Sequence, residues 1–286
     1  MRKILYGEES KIKDNLKKYL FVEPIYGIII VTQRRVQGGT AVELKRPEFI
    51  MFDYGQTLIK EGSYDGAAGF DRILRYALAN PMCVTGADLQ AEEEKLNAEL
   101  GRFNPAVRHK RLTEISVESV NRYLFSKFGI EFPPETDLRD LEPEFWETAN
   151  PCEACEGIAG LLEFLREEKI RTGVVSNISF CGKTLEKRIA GAIPNADFEF
   201  VISSCDYLFR KPCRHIFETA LSKAGVTADK VWFCGDQFVT DIQGSSAVGM
   251  TPVWYKGALR YDSECKLTEG IEIYGWNELI DIIKSL

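Results

Sequence analysis

The feature that most constrains the fold is a regular alternation of short apolar runs with helical patterns, beginning near residue 155. The apolar runs predict strands at 172–175, 198–203, 231–234, 252–255 and 271–274. Helical spacing of the apolar residues predicts helices at 158–168, 182–189, 215–224, 241–248 and 276–285. Such alternation is typical of a parallel sheet with helices on both faces, and Phe49–Phe52 is a further strand of this kind. The predicted fold class is therefore α/β, with a Rossmann-like parallel sheet.

Residues 64–150 have a different pattern. Apolar residues recur with helical spacing in 70–79, 89–100 and 115–128, and β-branched runs are nearly absent. We therefore expect an α-helical domain at 64–150, inserted into an α/β core formed by 47–63 and 151–286. Residues 1–46 are expected to form an accessory N-terminal segment. Its predicted elements are a helix with Ile12, Leu16, Tyr19 and Leu20 on one face and a strand at 28–32.

The amino-acid composition argues against some classes of binding partner. The chain has 43 acidic and 36 basic residues, a net charge of −7 and a pI near 5.2, which argues against nucleic-acid binding because that depends on many phosphate contacts. The apolar run at 28–31 is far shorter than the roughly 18 residues that span a bilayer, so we expect no membrane partner. Eight scattered cysteines do not resemble a disulfide framework, and we expect a cytoplasmic protein. The sequence leaves a homo-oligomer open.

Polar residues follow several of the predicted strands. They form four separate motifs: Asp53 to Thr57, Ser176-Asn177, Lys211-Pro212, and Gly235-Asp236 with Asp241 five residues later. In a doubly wound sheet, ligands bind at the carboxyl ends of the strands, so we expect these motifs to converge. Asp53 and Asp236 offer the hard oxygen ligands that Mg²⁺ prefers. Lys211, with a hydroxyl from Ser176 or Thr57, would balance the charge of a phosphoryl group.

Together, the four motifs resemble those of the haloacid dehalogenase-like hydrolase superfamily, over about residues 47–286. The resemblance implies a Rossmann-like core with a helical cap between the first and second motifs. It also implies a hydrolase, and we expect a Mg²⁺-dependent phosphatase that acts on a small phosphorylated metabolite.

The resemblance further implies a role for each acidic residue. Asp53 is expected to be the nucleophile and to form an aspartyl-phosphate. Asp53, Asp236 and the backbone carbonyl of Gly55 are expected to bind Mg²⁺. Asp241 is expected to complete this acidic cluster, either by contacting the metal through water or by steadying Lys211.

The remaining motif residues are expected to bind the substrate. By the same resemblance, Ser176 and Lys211 hold the phosphoryl oxygens, and Lys211 also orients the nucleophile. Thr57 and Asn177 complete the predicted substrate-binding set.

The chain departs from the family pattern in the first motif. Gly55 replaces a second aspartate that protonates the leaving oxygen and then activates water, help typically worth about 10²–10⁴-fold. We favour a phosphatase or phosphotransferase that is slow or acts on good leaving groups such as acyl or aryl phosphates, with a proton donor from the cap or from water held by Gln56. One alternative is C–X or C–P hydrolysis, because dehalogenases and phosphonoacetaldehyde hydrolases also lack this aspartate. The latter need a Schiff-base lysine, for which Lys95 is the candidate. A non-catalytic scaffold that binds phosphate or metal is the other alternative.

Overall fold

The computed structural model describes residues 31–32, 34–35, 41–42, 44–102, 111–257 and 265–286. The strands are β1 (Val31–Thr32), β2 (Arg34–Arg35), β3 (Ala41–Val42), β4 (Phe49–Phe52), β5 (Ile59–Glu61), β6 (Cys152–Ala154), β7 (Arg171–Ser176), β8 (Val201–Ser203), β9 (Val231–Gly235), β10 (Thr251–Tyr255) and β11 (Gly270–Ile273). Seven of them form one sheet in the order β1-β11-β10-β9-β4-β7-β8, in which β1 alone is antiparallel. The predicted N-terminal helix and residues 28–30 of the predicted strand lie outside the described residues.

Strand β4 shows why the sheet is covered on both faces. All four of its residues are fully buried. Because successive side chains of a strand point to opposite faces, Phe49 and Met51 join one apolar layer and Ile50 and Phe52 join the other. Phe52 packs edge to face against Trp276, with ring centroids 5.9 Å apart. A parallel sheet needs such burial on both faces, and the helices provide it.

The helices are α1 (Gly66–Leu74), α2 (Gly86–Glu99), α3 (Val117–Phe128), α4 (Leu138–Ala149), α5 (Ile158–Glu167), α6 (Gly182–Ala192), α7 (Ser204–Tyr207), α8 (Arg214–Ala224), α9 (Gly244–Ala247) and α10 (Trp276–Lys284). The helix predicted at 241–248 is instead a π-helical turn, Phe238–Gln243, followed by the short helix α9. Within the described ranges, we find no helix with the length and apolar composition required to cross a membrane.

Helices α1–α4 form the cap. In the chain they lie between two short strands, β5 and β6, that pair with each other, and we call this strand pair the hairpin. Strands β5 and β6 pair antiparallel, with Ile59 opposite Ala154 and Glu61 opposite Cys152. Helix α1 begins earlier than the sequence predicts because Asp65 caps it by accepting a hydrogen bond from the backbone N–H of Ala68. Helix α4 was not predicted, and it completes the cap. The domain boundaries proposed at 64 and 150 lie in the links between this hairpin and the helices.

Candidate active site

Three of the predicted motifs meet at the carboxyl edge of the sheet. Asp53 follows β4, and the two neighbours of β4 carry Ser176 at the end of β7 and Asp236 directly after β9. The backbone N–H of Asp53 donates to the carbonyl of Cys234 in β9 at 2.8 Å. The order of the strands therefore places these polar residues side by side.

Lys211 lies at the centre of the site. Its ammonium nitrogen is 2.7 Å from Oδ1 of Asp53 and 2.8 Å from Oδ1 of Asp241, and its side chain is almost fully buried. Burial by itself lowers the pKa of Lys211, but the carboxylates of Asp241 and Asp53 outweigh it and raise that pKa. The lysine is therefore a permanent positive charge between two acidic groups.

Asn177 holds the backbone of this lysine. Its amide nitrogen donates to the carbonyl of Lys211 at 2.8 Å, and its amide oxygen accepts from the N–H of Lys211 at 2.7 Å. Both ends of the amide are therefore engaged. These contacts position Lys211, and the direct contact between Asn177 and substrate stays a prediction.

Asp241 approaches the site through a close contact with Gly235. A Cβ at position 235 would lie 2.5 Å from the Cβ of Asp241, so only glycine leaves room for this carboxylate. Oδ1 of Asp241 contacts Lys211, and Oδ2 accepts from the N–H of Gln237 at 3.0 Å. Of the two roles predicted for Asp241, this geometry favours steadying the lysine.

The acidic residues fit a divalent cation. Asp53, Asp236 and Asp241 each offer one oxygen, these atoms lie within 4.8 Å of one another, and all three residues are buried. Burial raises the pKa of Asp241 and Asp53 raises it further, although Lys211 opposes both effects. Three buried carboxylates around one lysine leave an excess of negative charge, which Mg²⁺ can neutralise through the oxygen ligands it prefers.

The turn after Asp53 contains two buried polar atoms in need of a partner. Thr57 Oγ1 and Gln56 Oε1 make no hydrogen bond to any residue that the structure describes. Gly55, the predicted backbone ligand, lies in the same turn. Ser176 is buried at the end of β7, opposite Ser203 of β8. Because buried polar groups are nearly always paired, this turn fits a site that receives a polar ligand or water.

A cavity of about 790 Å³ lies between the cap and the core. Glu93 and Asn97 line it from α2, Trp146 from α4, and Phe180 from the loop after β7. The rings of Trp146 and Phe180 are stacked, with centroids 4.2 Å apart. Ligand sites commonly enclose about 300–1,000 Å³, so this cavity can hold the body of a small molecule.

Sequence reasoning missed Glu61, which lines the same cavity. Burial raises the pKa of Glu61; Asp53 also raises it, while Arg188 and a hydrogen bond from Tyr54 lower it. A glutamate in this environment binds a proton more readily than an exposed one. The sequence carries no signal for Glu61, because Lys60 and Glu61 are adjacent charged residues; only the structure shows that Ile59 and Glu61 face inward while Lys60 faces solvent.

Lys95, the candidate Schiff-base lysine, lies on the surface of the cap. Its side chain is 70% exposed, and its ammonium nitrogen is 3.5 Å from Glu92. Lys95 does not line the cavity between cap and core. A buried lysine beside the substrate is therefore not provided at this position, and the phosphonate-cleaving alternative loses its support.

Comparison with known proteins identifies the family. Residues 102–255 match the haloacid dehalogenase-like hydrolase family, in a range that includes Ser176, Lys211, Asp236 and Asp241 but not Asp53. The haloacid dehalogenase-like hydrolase domain-containing protein 3 of Mus musculus is 32% identical over 128 residues, which is 45% of this chain and half the length of that relative. A glyceraldehyde 3-phosphate phosphatase of Methanothermobacter thermautotrophicus is 28% identical over 207 residues, 71% of this chain and 83% of that protein.

The fold agrees with this result. The crystal structure of a HAD phosphatase from Thermococcus onnurineus has a TM-score of 0.53 and 20% identity, covering 82% of this chain and 97% of that one. Its likeness concerns the fold alone. With a sheet of six parallel strands, an inserted helical cap and a family match over more than half of its length, this chain belongs to the haloacid dehalogenase-like hydrolase family.

Proposed function

We propose that this chain is a Mg²⁺-dependent phosphatase that acts on a small phosphorylated metabolite through an aspartyl-phosphate on Asp53. The observation that carries the proposal is the position of Lys211, in contact with both Asp53 and Asp241 at the edge of the sheet where Asp236 also lies. The eight free cysteines suit the reducing cytoplasm that we assign to the protein.

The acidic cluster would hold the metal. Asp53, Asp236 and the backbone carbonyl of Gly55 are the proposed ligands, and Asp241 supports them by fixing Lys211. Mg²⁺, when bound, supplies positive charge that offsets the phosphoryl oxygens and orients the phosphate.

The residues of the chain supply the covalent chemistry. A carboxylate oxygen of Asp53 attacks phosphorus, the bond from phosphorus to the ester oxygen breaks, and water later releases phosphate from Asp53. Lys211 orients the nucleophile and stabilises charge on the phosphoryl oxygens in the transition state. The hydroxyls of Ser176 and Thr57 are the proposed partners for the remaining oxygens, and Asn177 contributes by holding Lys211 in place.

The cavity narrows the class of substrate. Its stacked aromatic rings offer an apolar surface, and its charged side chains include Glu93 and Glu94 beside Arg102. Because the two carboxylates outnumber this arginine, a second phosphate would be disfavoured, so we propose a monophosphate with an uncharged body. Because the relative from Methanothermobacter thermautotrophicus is named a glyceraldehyde 3-phosphate phosphatase, that triose phosphate is the first compound to test.

The test is phosphate release from glyceraldehyde 3-phosphate and p-nitrophenyl phosphate, with and without Mg²⁺. We expect release that requires Mg²⁺, disappears in Asp53→Asn and is strongly reduced in Asp236→Asn. Asp140→Asn is the matched control, because this carboxylate is exposed on the cap, where it pairs with Lys183. Metal-independent halide release from a 2-haloacid would favour a dehalogenase instead. Mg²⁺ binding without turnover of any phosphate ester would favour the scaffold.

A further inference from the structure

The family's second aspartate is absent from this chain, but a carboxyl group is present at the place it would occupy. If a Cβ is built on Gly55, its nearest described atom beyond the adjoining residues is Oε2 of Glu61, at 3.7 Å. That oxygen is the only such atom within 4 Å. The side chain of Glu61, from the strand β5 that follows this turn, therefore reaches the space that the missing aspartate would fill.

The hairpin explains why Glu61 points there. In β5, Ile59 is buried, Lys60 is exposed and Glu61 faces inward, following the two-residue repeat of a strand. Glu61 also lines the cavity between cap and core, together with Trp146. Its carboxyl group thus lies between the turn that follows the nucleophile and the space for the substrate's body. In the proposed reaction, the ester oxygen that joins phosphate to that body would lie beside this carboxyl group.

The hydrogen-bond partner of Glu61 is the neutral hydroxyl of Tyr54, so an ionic structural role for Glu61 would require a separate cationic partner. Within the part of the chain that the structure describes, Glu61 forms no ion pair. Arg188 is the cation with the largest effect on the pKa of Glu61, but its guanidinium already binds other groups. Arg188 donates to the Tyr54 hydroxyl at 2.6 Å, to the carbonyl and side chain of Asn150, and to Glu147. Neutralising Arg188 therefore does not account for the position of Glu61.

We infer that Glu61 is the general acid and base of this enzyme and replaces the aspartate missing at position 55; this inference rests on the proposed phosphatase function. As Asp53 attacks phosphorus, the protonated Glu61 transfers its proton to the leaving ester oxygen, which departs as an alcohol. The resulting Glu61 carboxylate then takes a proton from water as the water oxygen bonds to phosphorus. The bond between phosphorus and Asp53 breaks, which releases inorganic phosphate and regenerates the Asp53 carboxylate and protonated Glu61. This inference places the proton donor on the hairpin. The sequence had instead suggested a donor in the cap or water held by Gln56.

The experiment compares Glu61→Gln with wild type on two leaving groups. On glyceraldehyde 3-phosphate, whose leaving oxygen needs a proton, we expect kcat/KM to fall by about 10²–10⁴-fold. On p-nitrophenyl phosphate, whose leaving group needs little protonation, we expect kcat/KM to change far less. Because the second step still needs a base, the phosphorylated protein should accumulate with p-nitrophenyl phosphate and be visible as an added phosphoryl group in the mass of acid-quenched protein.

Two further variants control for changes in folding. Glu153→Gln removes an exposed carboxylate from the paired strand β6 and should leave both substrates unaffected. Gly55→Asp combined with Glu61→Gln should recover much of the lost activity, because a carboxyl group returns to the same space.

The outcomes separate the inference from the function on which it rests. Equal losses on both substrates, no accumulation of phosphorylated protein, or an effect no larger than that of Glu153→Gln would overturn the role of Glu61. If that happens while Asp53→Asn is inactive, the phosphatase function stands and only this inference fails. If wild type shows no activity that depends on Asp53, both fail.

Discussion

Removing the charge of Lys211 should destabilise the folded protein through a mechanism that does not depend on catalysis. Lys211 contacts Asp53 at 2.7 Å and Asp241 at 2.8 Å, and the side chains of Lys211 and Asp241 are each only 1% exposed. Methionine has a similar size and shape but no charge. In Lys211→Met, two buried carboxylates therefore remain together without their cation.

The size of the effect follows from this burial. Removing one partner of a buried, hydrogen-bonded ion pair typically costs about 3–5 kcal/mol, because the other charge is left without compensation. We expect the free energy of unfolding of Lys211→Met to fall by that amount at neutral pH in the absence of divalent metal. For comparison, Lys183→Met removes an exposed partner of Asp140 and should cost only about 0–1 kcal/mol.

Urea denaturation with a chelator present measures both variants against wild type. The loss in Lys211→Met should shrink in mildly acidic buffer. Without the lysine, the folded state binds a proton on Asp241 more tightly than the unfolded state does, so the penalty grows as the pH rises. Lys211→Met combined with Asp241→Asn should recover part of the stability, because one stranded charge is gone. A loss for Lys211→Met no larger than that for Lys183→Met, or one independent of pH, would refute this reasoning.

Two further substitutions test the supports of the site. Asn177→Ala removes two hydrogen bonds to the backbone of Lys211, each worth about 1 kcal/mol, so it should lower both the free energy of unfolding and kcat. The control is Asn195→Ala, at an exposed position, which should change neither quantity. If the two variants had the same stability and the same kcat, the positioning role of Asn177 would be contradicted. Gly235→Ala places a methyl group 2.5 Å from the Cβ of Asp241 and should cost about 1–3 kcal/mol and weaken Mg²⁺ binding measured by calorimetry. Gly160→Ala, whose added Cβ meets no described atom within 4 Å, is the control; Mg²⁺ binding unchanged in Gly235→Ala would show that the site tolerates a displaced Asp241.

The parts of the fold that follow from periodic burial were predictable. The apolar run of β4 gives the bounds Phe49–Phe52 directly, and the five predicted strands that follow it in the chain agree with the structure to within three residues at each end. The convergence of Asp53 and Asp236 also follows from the sequence, since parallel strands present their carboxyl ends at one edge.

Features that depend on tertiary contacts were not predictable. Pro143 argues against a helix at 138–149 because proline lacks an N–H, yet buried Phe145 and Trp146 in the same segment stabilise α4 by packing. Strand β5 has only three residues, and its partner β6 lies far along the chain, so no local pattern reveals their pairing. The role of Glu61 depends on that pairing and was therefore missed.

The hairpin of β5 and β6 also governs how this protein tolerates insertions. The two segments that connect the sheet to the cap are strands that pair with each other at three positions, so they form one hydrogen-bonded unit and not two independent linkers. Extra residues within the loops of the cap leave this strand pair unchanged. A single residue inserted into β5 ahead of Lys60 would reverse the facing of every later side chain in that strand, turning Lys60 inward and Glu61 toward solvent. Insertions and deletions in this protein should therefore be tolerated in the cap and not in its two connecting strands.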